Sequence, residues 1–244
     1  MSICHHASHT VSIIIPTYHE ACNLPLILHG ITSCLEANPT SEFEIIIVDD
    51  NSQDNTREVC QSLALLYHNL KLIVRTHPRG LATAIKKGID EAKGDIIVTM
   101  DADLSHDPSV ITKLLDKITK NGADIVVASR FIENHEMQAG FHRIWGSKML
   151  NTFIRLLLNI PVRDVTGGFQ AFRKSVLIYL NEDSIFRGYG DYSFALLYEA
   201  SRKELKIEEV GFKYVSRKNG LSKTRFLKTG FQYALRSFRL KLGW

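Results

Sequence analysis

The sequence predicts an α/β protein built on an open sheet. Two observations support this fold class: short, β-branched apolar runs are typical of strands, and they alternate with segments whose apolar residues recur at helical spacing. The apolar runs are uninterrupted, as in parallel strands buried on both faces of a sheet. The chain has 244 residues, 45% of them hydrophobic, which suffices for one large domain or two small ones. No repeat, low-complexity linker or break in composition marks a second domain.

The first half of the chain shows the clearest alternation. The predicted strands are Val11–Pro16, Phe43–Val48, Leu72–Val74 and the apolar run from Asp95 to Met100. The predicted helices follow the first three strands and cover Leu24–Leu35, Asn55–Leu66 and Leu81–Ala92. At the start of the second of these helices, Asn55 followed by Glu58 predicts a capping box.

The second half of the chain is less regular. It contains a predicted helix from Pro108 to Lys120, a strand over Ile125–Ala128, an amphipathic stretch over Ile144–Leu158 and a glycine turn over Thr166–Gln170. We divide the chain into a disordered leader over residues 1–10, a globular domain over 11–224 and a basic amphipathic helix over 225–244.

Polar loops follow the predicted strands and should meet in one place. They cover Thr17–Glu20, Asp49–Asp54, Arg75–Gly80 and Asp101–Asp107. In open α/β sheets, ligands bind beyond the carboxyl ends of the strands. We therefore expect these four loops to line a single crevice.

The loop after the fourth strand carries Asp101 and Asp103, which extended backbone would direct to the same side. Two adjacent carboxylates repel each other unless a hard divalent cation neutralises both. Mg²⁺ or Mn²⁺ held by few protein carboxylates keeps open positions, which usually go to substrate phosphates. The pattern favours a phosphorylated donor, although an Asp-x-Asp tripeptide also arises by chance in a chain rich in aspartate.

The cysteines and the hydropathy of the chain indicate in which cellular compartment the protein is expected. Four cysteines, Cys4, Cys22, Cys34 and Cys60, lack both the close pairing of a zinc site and the density of a disulfide framework, as expected in a reducing cytosol. No apolar segment precedes the first strand, and no apolar run approaches the length that a bilayer requires. We expect the chain neither to cross a membrane nor to enter the secretory route.

The net charge of +4 is unevenly distributed, because nine basic residues and no acidic residue follow Glu209. Within this basic end, apolar residues recur at helical spacing and charged residues occupy the other face; the apolar residues are Leu227, Phe231, Ala234, Leu235, Phe238 and Leu242, and the charges are Arg225, Lys228, Arg236 and Arg239. An interfacial helix on anionic lipid fits this pattern, which Trp244 extends. The alternatives are a helix packed on the domain and a nucleic-acid contact; no nucleic-acid-binding motif supports the latter, and we expect no nucleic-acid partner.

Six motifs occur in an order that resembles the inverting family-2 glycosyltransferases. They are Ile15–Glu20, Val48–Asp54, Met100–Pro108, Ser129–Phe131, Arg163–Arg173 and Arg217–Lys223. The last three are similar to the branch that transfers sugars to lipid phosphates, which includes the dolichol-phosphate mannose synthases and their polyprenyl-phosphate relatives. The resemblance covers about Val11 to Thr224 and implies a GT-A nucleotide-sugar-binding fold, with a central, mostly parallel mixed sheet flanked by helices.

The resemblance also implies roles for individual residues. It assigns nucleotide-sugar binding to Pro16, Tyr18, Glu20, Asp50, Asp101, Ala102, Asp103, Arg130, Arg217 and Lys223. It assigns the metal to Asp101, Asp103 and the position of Ser105, the acceptor phosphate to Arg143, Arg217 and Ser222, and catalysis to Asp103, Arg130, Arg217 and Asp191. Fixed arginine forks would offset the repulsion between two anions brought within reacting distance.

Several of these positions have open alternatives. The relatives carry a glutamine where this chain has Ser105, a shorter side chain that would bind metal weakly or through water. Asp191 and Glu199 compete for the position of a general base, and an N-cap role is the alternative for Asp191. A turn or helix-cap role is the alternative for Asp49 and Asp50, and a solvated helix face is the alternative for Arg143.

The expected activity is the metal-dependent transfer of a hexose, with GDP-mannose favoured as donor, to a dolichyl or polyprenyl phosphate with inversion. A phosphate monoester has a second pKa of about 6 and is a nucleophile at neutral pH, so a general base is scarcely needed. The alternatives are transfer to a glycan hydroxyl, use of UDP-glucose, and a catalytically silent regulatory subunit. We expect peripheral contact with the cytosolic face of a membrane, and the resemblance leaves membrane-embedded partner subunits open.

Overall fold

In a computed structural model of the chain, residues 9–37, 41–132, 141–214 and 226–243 are described, and strands alternate with helices from the first element to the fifth strand. The strands are β1 (His9–Thr17), β2 (Ser41–Asp49), β3 (Leu70–Val74), β4 (Ile96–Thr99), β5 (Ile125–Ser129), β6 (Gln170–Arg173) and β7 (Ile207–Gly211). The helices are α1 (Leu24–Glu36), α2 (Thr56–Ala64), α3 (Leu81–Glu91), α4 (Val110–Thr119), α5 (Phe141–Leu158), α6 (Glu182–Ile185), α7 (Tyr192–Arg202) and α8 (Phe226–Leu242), with a 3₁₀ helix over Lys174–Tyr179.

Within the described ranges, the strands form one seven-stranded sheet in the order β3-β2-β1-β4-β6-β5-β7. Neighbouring strands are parallel except at β6, which runs antiparallel to both β4 and β5. The carboxyl ends of the other strands therefore lie along one edge of the sheet, together with the start of β6. This arrangement confirms the predicted α/β class and the mostly parallel mixed sheet.

Two apolar layers cover the faces of the sheet. Along β1, Ile14 packs into one layer while Ile13 and Ile15 pack into the other, because successive side chains of a strand point to opposite faces. All three are fully buried. Burial on both faces explains the uninterrupted apolar runs Ile13–Ile15, Ile45–Val48 and Ile96–Val98 in the central strands.

The element boundaries differ from the predictions in places. β1 begins at His9, so two residues of the predicted leader belong to a strand, and residues 1–8 lie outside the described ranges. The predicted capping box is wrong, because Asn55 makes no side-chain cap hydrogen bond; instead Asp54 Oδ1 accepts from the Thr56 N–H at 3.2 Å. β6 and β7 were not predicted, because both are short and carry polar residues, Gln170 and Arg173 in one case and two glutamates in the other.

The basic helix α8 packs on the domain with one face and leaves the other exposed. Leu240 and Tyr233 join the apolar layer on one side of the sheet, and Phe238 contacts Phe153 of α5 with ring centroids 5.7 Å apart. Phe231 remains 72% exposed. One face of α8 is therefore packed on the domain, as one of the alternatives predicts, and contact of the exposed face with lipid stays a prediction.

Candidate active site

Four loops meet beyond the carboxyl ends of the parallel strands. The His19 N–H in the loop after β1 donates to Ser52 Oγ in the loop after β2 at 2.8 Å. The Gly80 N–H in the loop after β3 donates to Asp50 Oδ2 at 2.8 Å. The Asp101–Asp107 loop follows β4, which pairs directly with β1. The predicted convergence of these loops on one edge of the sheet is confirmed.

The two aspartates at the end of β2, Asp49 and Asp50, have different partners. Asp49 is 1% exposed and accepts from the Ser52 N–H at 2.8 Å, so it has the turn role left open by the sequence. Asp50 forms an ion pair with Arg75, whose Nε donates to Asp50 Oδ1 at 2.8 Å; the side chains are 13% and 7% exposed. Asp50 thus anchors the loop after β3, and its contact with a nucleotide stays a prediction.

Pro16, Tyr18 and Glu20 lie half-buried on the β1 side of the crevice. The guanidinium carbon of Arg79 is 5.9 Å from the Tyr18 ring centroid. Glu20 Oε2 accepts from Asn23 Nδ2 at 2.7 Å, at the start of α1. The three side chains are partly exposed at or just beyond the end of β1, and their role as a nucleotide clamp stays a prediction.

The acidic loop after β4 is a tight turn and not an extension of the strand. β4 ends at Thr99, and Leu104 adopts a positive φ of 62°. The Asp101 N–H donates to His106 Nδ1 at 3.0 Å, which closes the loop. The expectation that extended backbone aligns Asp101 and Asp103 is therefore wrong, because hydrogen bonds within the loop set their positions.

His106 forms the floor of this acidic loop. The residue is 5% exposed and its ring stacks on Phe169, with centroids 4.8 Å apart. Because Nδ1 accepts a hydrogen bond, the neutral ring carries its proton on Nε2, which lies 3.9 Å from Asp101 Oδ2. Burial lowers the pKa of His106, although the negative charges of Asp101 and Asp103 oppose that effect. The ring is therefore a neutral packing element beneath both carboxylates.

The acidic pair has the donor chemistry of a hard-cation site. Asp103 Oδ1 accepts from the Ser105 N–H at 3.0 Å and from the Ser105 hydroxyl, while the Asp101 side chain is 38% exposed. In the described ranges no group of three or more His, Cys, Asp or Glu side chains is arranged to hold a metal. Carboxylate oxygens are the ligands that hard cations such as Mg²⁺ and Mn²⁺ prefer, with other positions left for water and phosphate oxygens, and the metal role of Asp101 and Asp103 stays a prediction. Ser105 orients Asp103, and its part as a ligand stays a prediction.

Arg130, directly after β5, is held by a buried carboxylate. Its Nε and Nη2 each donate to one oxygen of Asp164 at 2.7 Å, and Nη2 also donates to Thr166 Oγ1 at 2.9 Å. The Asp164 side chain is fully buried and that of Arg130 is 15% exposed. Burial disfavours the charged guanidinium, but the attraction of Asp164 more than offsets it and raises the pKa of Arg130 above its ordinary value. Arg130 is a permanent cation whose direction is set by Asp164.

The glycine turn before β6 brings this ion pair next to the acidic loop. Glu209 Oε1 accepts from the Asp164 N–H at 3.0 Å, and Thr99 Oγ1 donates to the Gly168 carbonyl at 2.7 Å. A Cβ on Gly168 would lie 3.8 Å from Asp101 Oδ1. The turn therefore passes directly beside the acidic pair, where a bulkier residue would enter the crevice.

The two candidate bases are separated by the structure. Asp191 precedes α7 without making a side-chain cap hydrogen bond; its Oδ1 accepts from the Tyr189 N–H at 2.7 Å instead. The next residue, Tyr192, donates to the Gly168 carbonyl at 3.3 Å, which places the start of α7 at the crevice. Glu199 lies eight residues after Asp191, or about 12 Å along the helix. Of the two carboxylates, Asp191 is the one beside the crevice, and its catalytic role stays a prediction.

The remaining predicted site residues are four whose side chains the structure does not describe, and Ala102. Arg217, Ser222 and Lys223 lie outside the described ranges, as does the side chain of Arg143 at the start of α5. Ala102 is 3% exposed and packs in the apolar layer beneath the acidic loop. The predicted roles of all these residues stay predictions.

The family model for glycosyl transferase family 2 matches residues 12–180, which is most of the sheet and the acidic loop. The chain belongs to glycosyl transferase family 2. The six ordered motifs therefore identified the family correctly, and the family-2 assignment covers β1 through the 3₁₀ helix.

Two curated family-2 relatives match most of the chain. A dolichol-phosphate mannosyltransferase of Pyrococcus furiosus is 37% identical over 94% of this chain and 63% of its own length. A polyprenol monophosphomannose synthase of Mycolicibacterium smegmatis is 32% identical over 86% of this chain and 79% of its own length. The chain thus spans less than two thirds of the Pyrococcus protein.

Solved structures of GT-A glycosyltransferases share the fold. A glucosyl-3-phosphoglycerate synthase of Mycobacterium tuberculosis, crystallised with Mn²⁺, uridine diphosphate and phosphoglyceric acid, has a TM-score of 0.71 at 16% identity, covering 97% of this chain and 80% of that chain. A mannosyl-3-phosphoglycerate synthase of Rubrobacter xylanophilus has a TM-score of 0.68 at 19% identity, covering 96% and 74%. These likenesses confirm the GT-A fold predicted from the family-2 motifs.

Several residues at this family-2 site were not singled out from the sequence. Arg75 and Asp164 pair with Asp50 and Arg130 over separations of 25 and 34 residues. Asp164 lies inside the motif Arg163–Arg173, and its place in that motif is the feature of the sequence that could have identified it. Arg236 was predicted on the charged face of the basic helix, opposite the apolar residues, but the structure places it against α6 and the turn before α7.

Proposed function

We propose that the chain catalyses metal-dependent transfer of a hexose from a nucleotide sugar to a polyprenyl or dolichyl phosphate, with inversion at the anomeric carbon. Mannose from GDP-mannose is the favoured donor, because both curated relatives are named for mannose transfer to a polyprenol-type lipid. The observation that carries the proposal is the acidic pair Asp101 and Asp103, set in a turn within a crevice of four converging loops.

In this reaction an oxygen of the acceptor phosphate attacks the anomeric carbon as the bond from that carbon to the nucleoside diphosphate breaks. Mg²⁺ or Mn²⁺ held by Asp101 and Asp103 would supply positive charge to the departing diphosphate. The acceptor oxygen needs no deprotonation at neutral pH. Asp191, which is engaged by the Tyr189 N–H, is therefore not required as a base. Catalysis then depends on positioning the two anions and on fixed charge.

Arg130 would contribute a cation with a fixed direction. Its fork is already satisfied by Asp164 on one side, so the guanidinium cannot swing to follow a ligand. Preorganised charge of this kind avoids reorganisation when charge develops on the leaving group. The neighbouring Tyr214, whose ring centroid is 6.0 Å from the guanidinium carbon, borders the same side.

A lipid acceptor requires contact with a membrane surface, and α5 and α8 carry a face suited to it. The exposed apolar side chains on the two helices are Trp145, Met149, Phe153 and Leu156 on α5, and Phe231, Leu235, Phe238 and Leu242 on α8. The basic residues Lys228, Arg239 and Lys241 lie on α8 with them. We therefore propose peripheral binding to the cytosolic face of a membrane through this two-helix face. No helix in the described part of the chain combines the length and hydropathy needed to span a bilayer.

Donor and acceptor are tested by incubating purified protein and MnCl₂ with radiolabelled GDP-mannose or UDP-glucose and a short polyprenyl phosphate. We expect lipid-extractable label from GDP-mannose. Label from UDP-glucose alone would move the assignment to glucosyl transfer. Label on a water-soluble glycan would favour a hydroxyl acceptor, and no transfer from any donor would contradict the proposed function.

Membrane contact is tested by sedimentation with vesicles containing anionic lipid. We expect the double variant F231A/L235A to lower the partition coefficient by about tenfold or more, because each exposed side chain loses apolar burial of about 1.5–3 kcal/mol. The matched control is L65A/L66A, which removes two exposed leucines, 79% and 73% exposed, beyond α2. Equal losses in both variants would contradict the assignment of the two-helix face.

A further inference from the structure

The basic helix α8 touches a turn that borders the crevice, in addition to carrying the exposed apolar face. The turn covers Gly188–Asp191 and leads into α7. A Cβ placed on Gly190 would lie 2.1 Å from the Tyr233 hydroxyl oxygen and 3.4 Å from the ring carbon that bears it. The hydroxyl of Tyr233 therefore occupies the space that any other residue at position 190 would need. The Tyr233 ring also packs edge-on against Phe194 of α7.

One helical turn further along α8, Arg236 contacts the same region. Its Nη2 donates to the Ser184 carbonyl of α6, and its Nε lies 3.5 Å from Asp191 Oδ2. The side chains of Arg236 and Asp191 are only 15% and 10% exposed. Asp191 in turn accepts the Tyr189 N–H at 2.7 Å, which closes the turn. Arg236 thus places a guanidinium beside a largely buried carboxylate; burial lowers the pKa of Arg236, and the negative charge of Asp191 opposes that effect.

The opposite side of the turn lies against the loop after β3. We call this the nucleotide side of the crevice, because it includes Asp50, a predicted nucleotide-binding residue. A Cβ on Gly80 would be 3.6 Å from the Gly188 carbonyl oxygen, and a Cβ on Gly190 would be 3.8 Å from Leu81 Cδ2. Gly80 is the residue whose N–H donates to Asp50 at 2.8 Å and whose carbonyl accepts from Arg75 at 3.1 Å. Contiguous contacts therefore connect α8, the turn and the Asp50–Arg75 ion pair.

We propose that Tyr233 and Arg236 are positioning residues that hold the Gly188–Asp191 turn against the loop after β3, so that α8 sets the shape of the nucleotide side of the crevice. The proposal rests on the proposed function for its kinetic consequence. It assigns two faces to one helix: Phe231 and Leu235 face outward, and Tyr233 and Arg236 face the turn. Attachment of α8 to a lipid surface and the geometry of the crevice are then mechanically linked.

The contact at Gly190 is tested with the variants G190A, Y233F and G190A/Y233F. Gly190 is not among the described residues with positive φ, so alanine is compatible with its backbone and only the Tyr233 hydroxyl opposes it. We expect G190A to raise the unfolding equilibrium constant about tenfold, which lowers the free energy of unfolding by about 1.4 kcal/mol, and Y233F to reverse most of that change by removing the oxygen. Additive losses in the double variant would overturn the assigned contact.

The role of Arg236 is tested with R236Q and the matched control R239Q, which removes the same charge from an exposed position on the same helix. Hydrogen–deuterium exchange of the Tyr189 amide reports directly on the turn, because that N–H donates to Asp191. We expect exchange to accelerate by about tenfold in R236Q, by less in R236K, and to stay at the wild-type rate in R239Q. Equal exchange in R236Q and R239Q would overturn the proposal.

The kinetic readout separates positioning from a general loss of structure. Because the turn adjoins the nucleotide side, we expect R236Q to raise KM for GDP-mannose by about tenfold, with kcat changed by less than about threefold and partial rescue by R236K. A tenfold fall in kcat with an unchanged KM would contradict the assignment to the nucleotide side. If the wild-type protein transferred no sugar from any donor, the proposed function would fail, while the exchange and unfolding measurements would still decide whether α8 holds the turn.

Discussion

We expect the D103A variant to lose metal-dependent transfer, with a kcat/KM that falls by on the order of a thousandfold or more. In the proposed function Asp101 and Asp103 hold the cation at the end of β4, so loss of one would leave the departing diphosphate without its counter-charge. The measurement is the initial rate as a function of MnCl₂ concentration. Mn²⁺-dependent binding of GDP, measured by calorimetry, should be lost in parallel.

Two further variants separate charge from loop structure. D103N keeps an oxygen that can accept the Ser105 N–H, now 3.0 Å from Asp103 Oδ1, but removes the charge, so it should be nearly as inactive as D103A. D107N is the matched control: Asp107 is exposed in the same loop, and its Oδ1 accepts the Ser109 N–H at 2.9 Å. We expect D107N to retain wild-type activity. Activity near wild type in D103N would remove Asp103 from the site.

D164A should be the most destabilising single substitution that we predict. Asp164 is fully buried and makes two hydrogen bonds of 2.7 Å to Arg130, so its removal leaves a largely buried guanidinium without a counter-charge. Breaking a buried pair from one side costs about 3–5 kcal/mol. For a domain of this size we expect the Tm to fall by about 10 °C, measured by calorimetry or circular dichroism.

The control for D164A is D116A, which removes the same side chain from an exposed ion pair. Asp116 lies 2.9 Å from Lys120, with side chains 57% and 65% exposed, and such a pair contributes about 0–1 kcal/mol. The two variants should therefore differ by several degrees in Tm. Similar Tm values for both would show that the Arg130–Asp164 pair is dispensable for stability.

Local sequence patterns were sufficient for the first half of the fold. The strand over Ile13–Ile15 is recognisable because a strand buried on both faces must be apolar at every position. The short strands β6 and β7 were missed, because four or five residues that include polar side chains carry no distinctive periodicity. At β1 the extra residues make a hydrogen bond to a distant part of the chain, which joins Thr10 to Asp95, whereas at α2 the cap comes from Asp54, next to the predicted Asn55.

The site shows the same division between local and distant information. Asp101 and Asp103 were identified from their place after an apolar run, and the family motifs indicated the chemistry. The partners of the charged residues were not predicted, because Asp50 with Arg75 and Arg130 with Asp164 meet only through the order of the strands. The burial of these ion pairs, which determines how much they contribute to stability, is likewise a property of the folded sheet.

The sequence by itself determined the fold class, the family and the acidic loop, since each depends on residue types at short spacing. Only the tertiary structure decided which carboxylates are engaged by arginines and which face of α8 meets the domain. Helical periodicity shows that a helix has two faces, but it cannot show which neighbour each face meets, because that depends on packing between segments distant in the chain. Arg236 is the clearest example, since its pattern placed it on the charged face opposite the apolar residues, and its contacts place it beside Asp191.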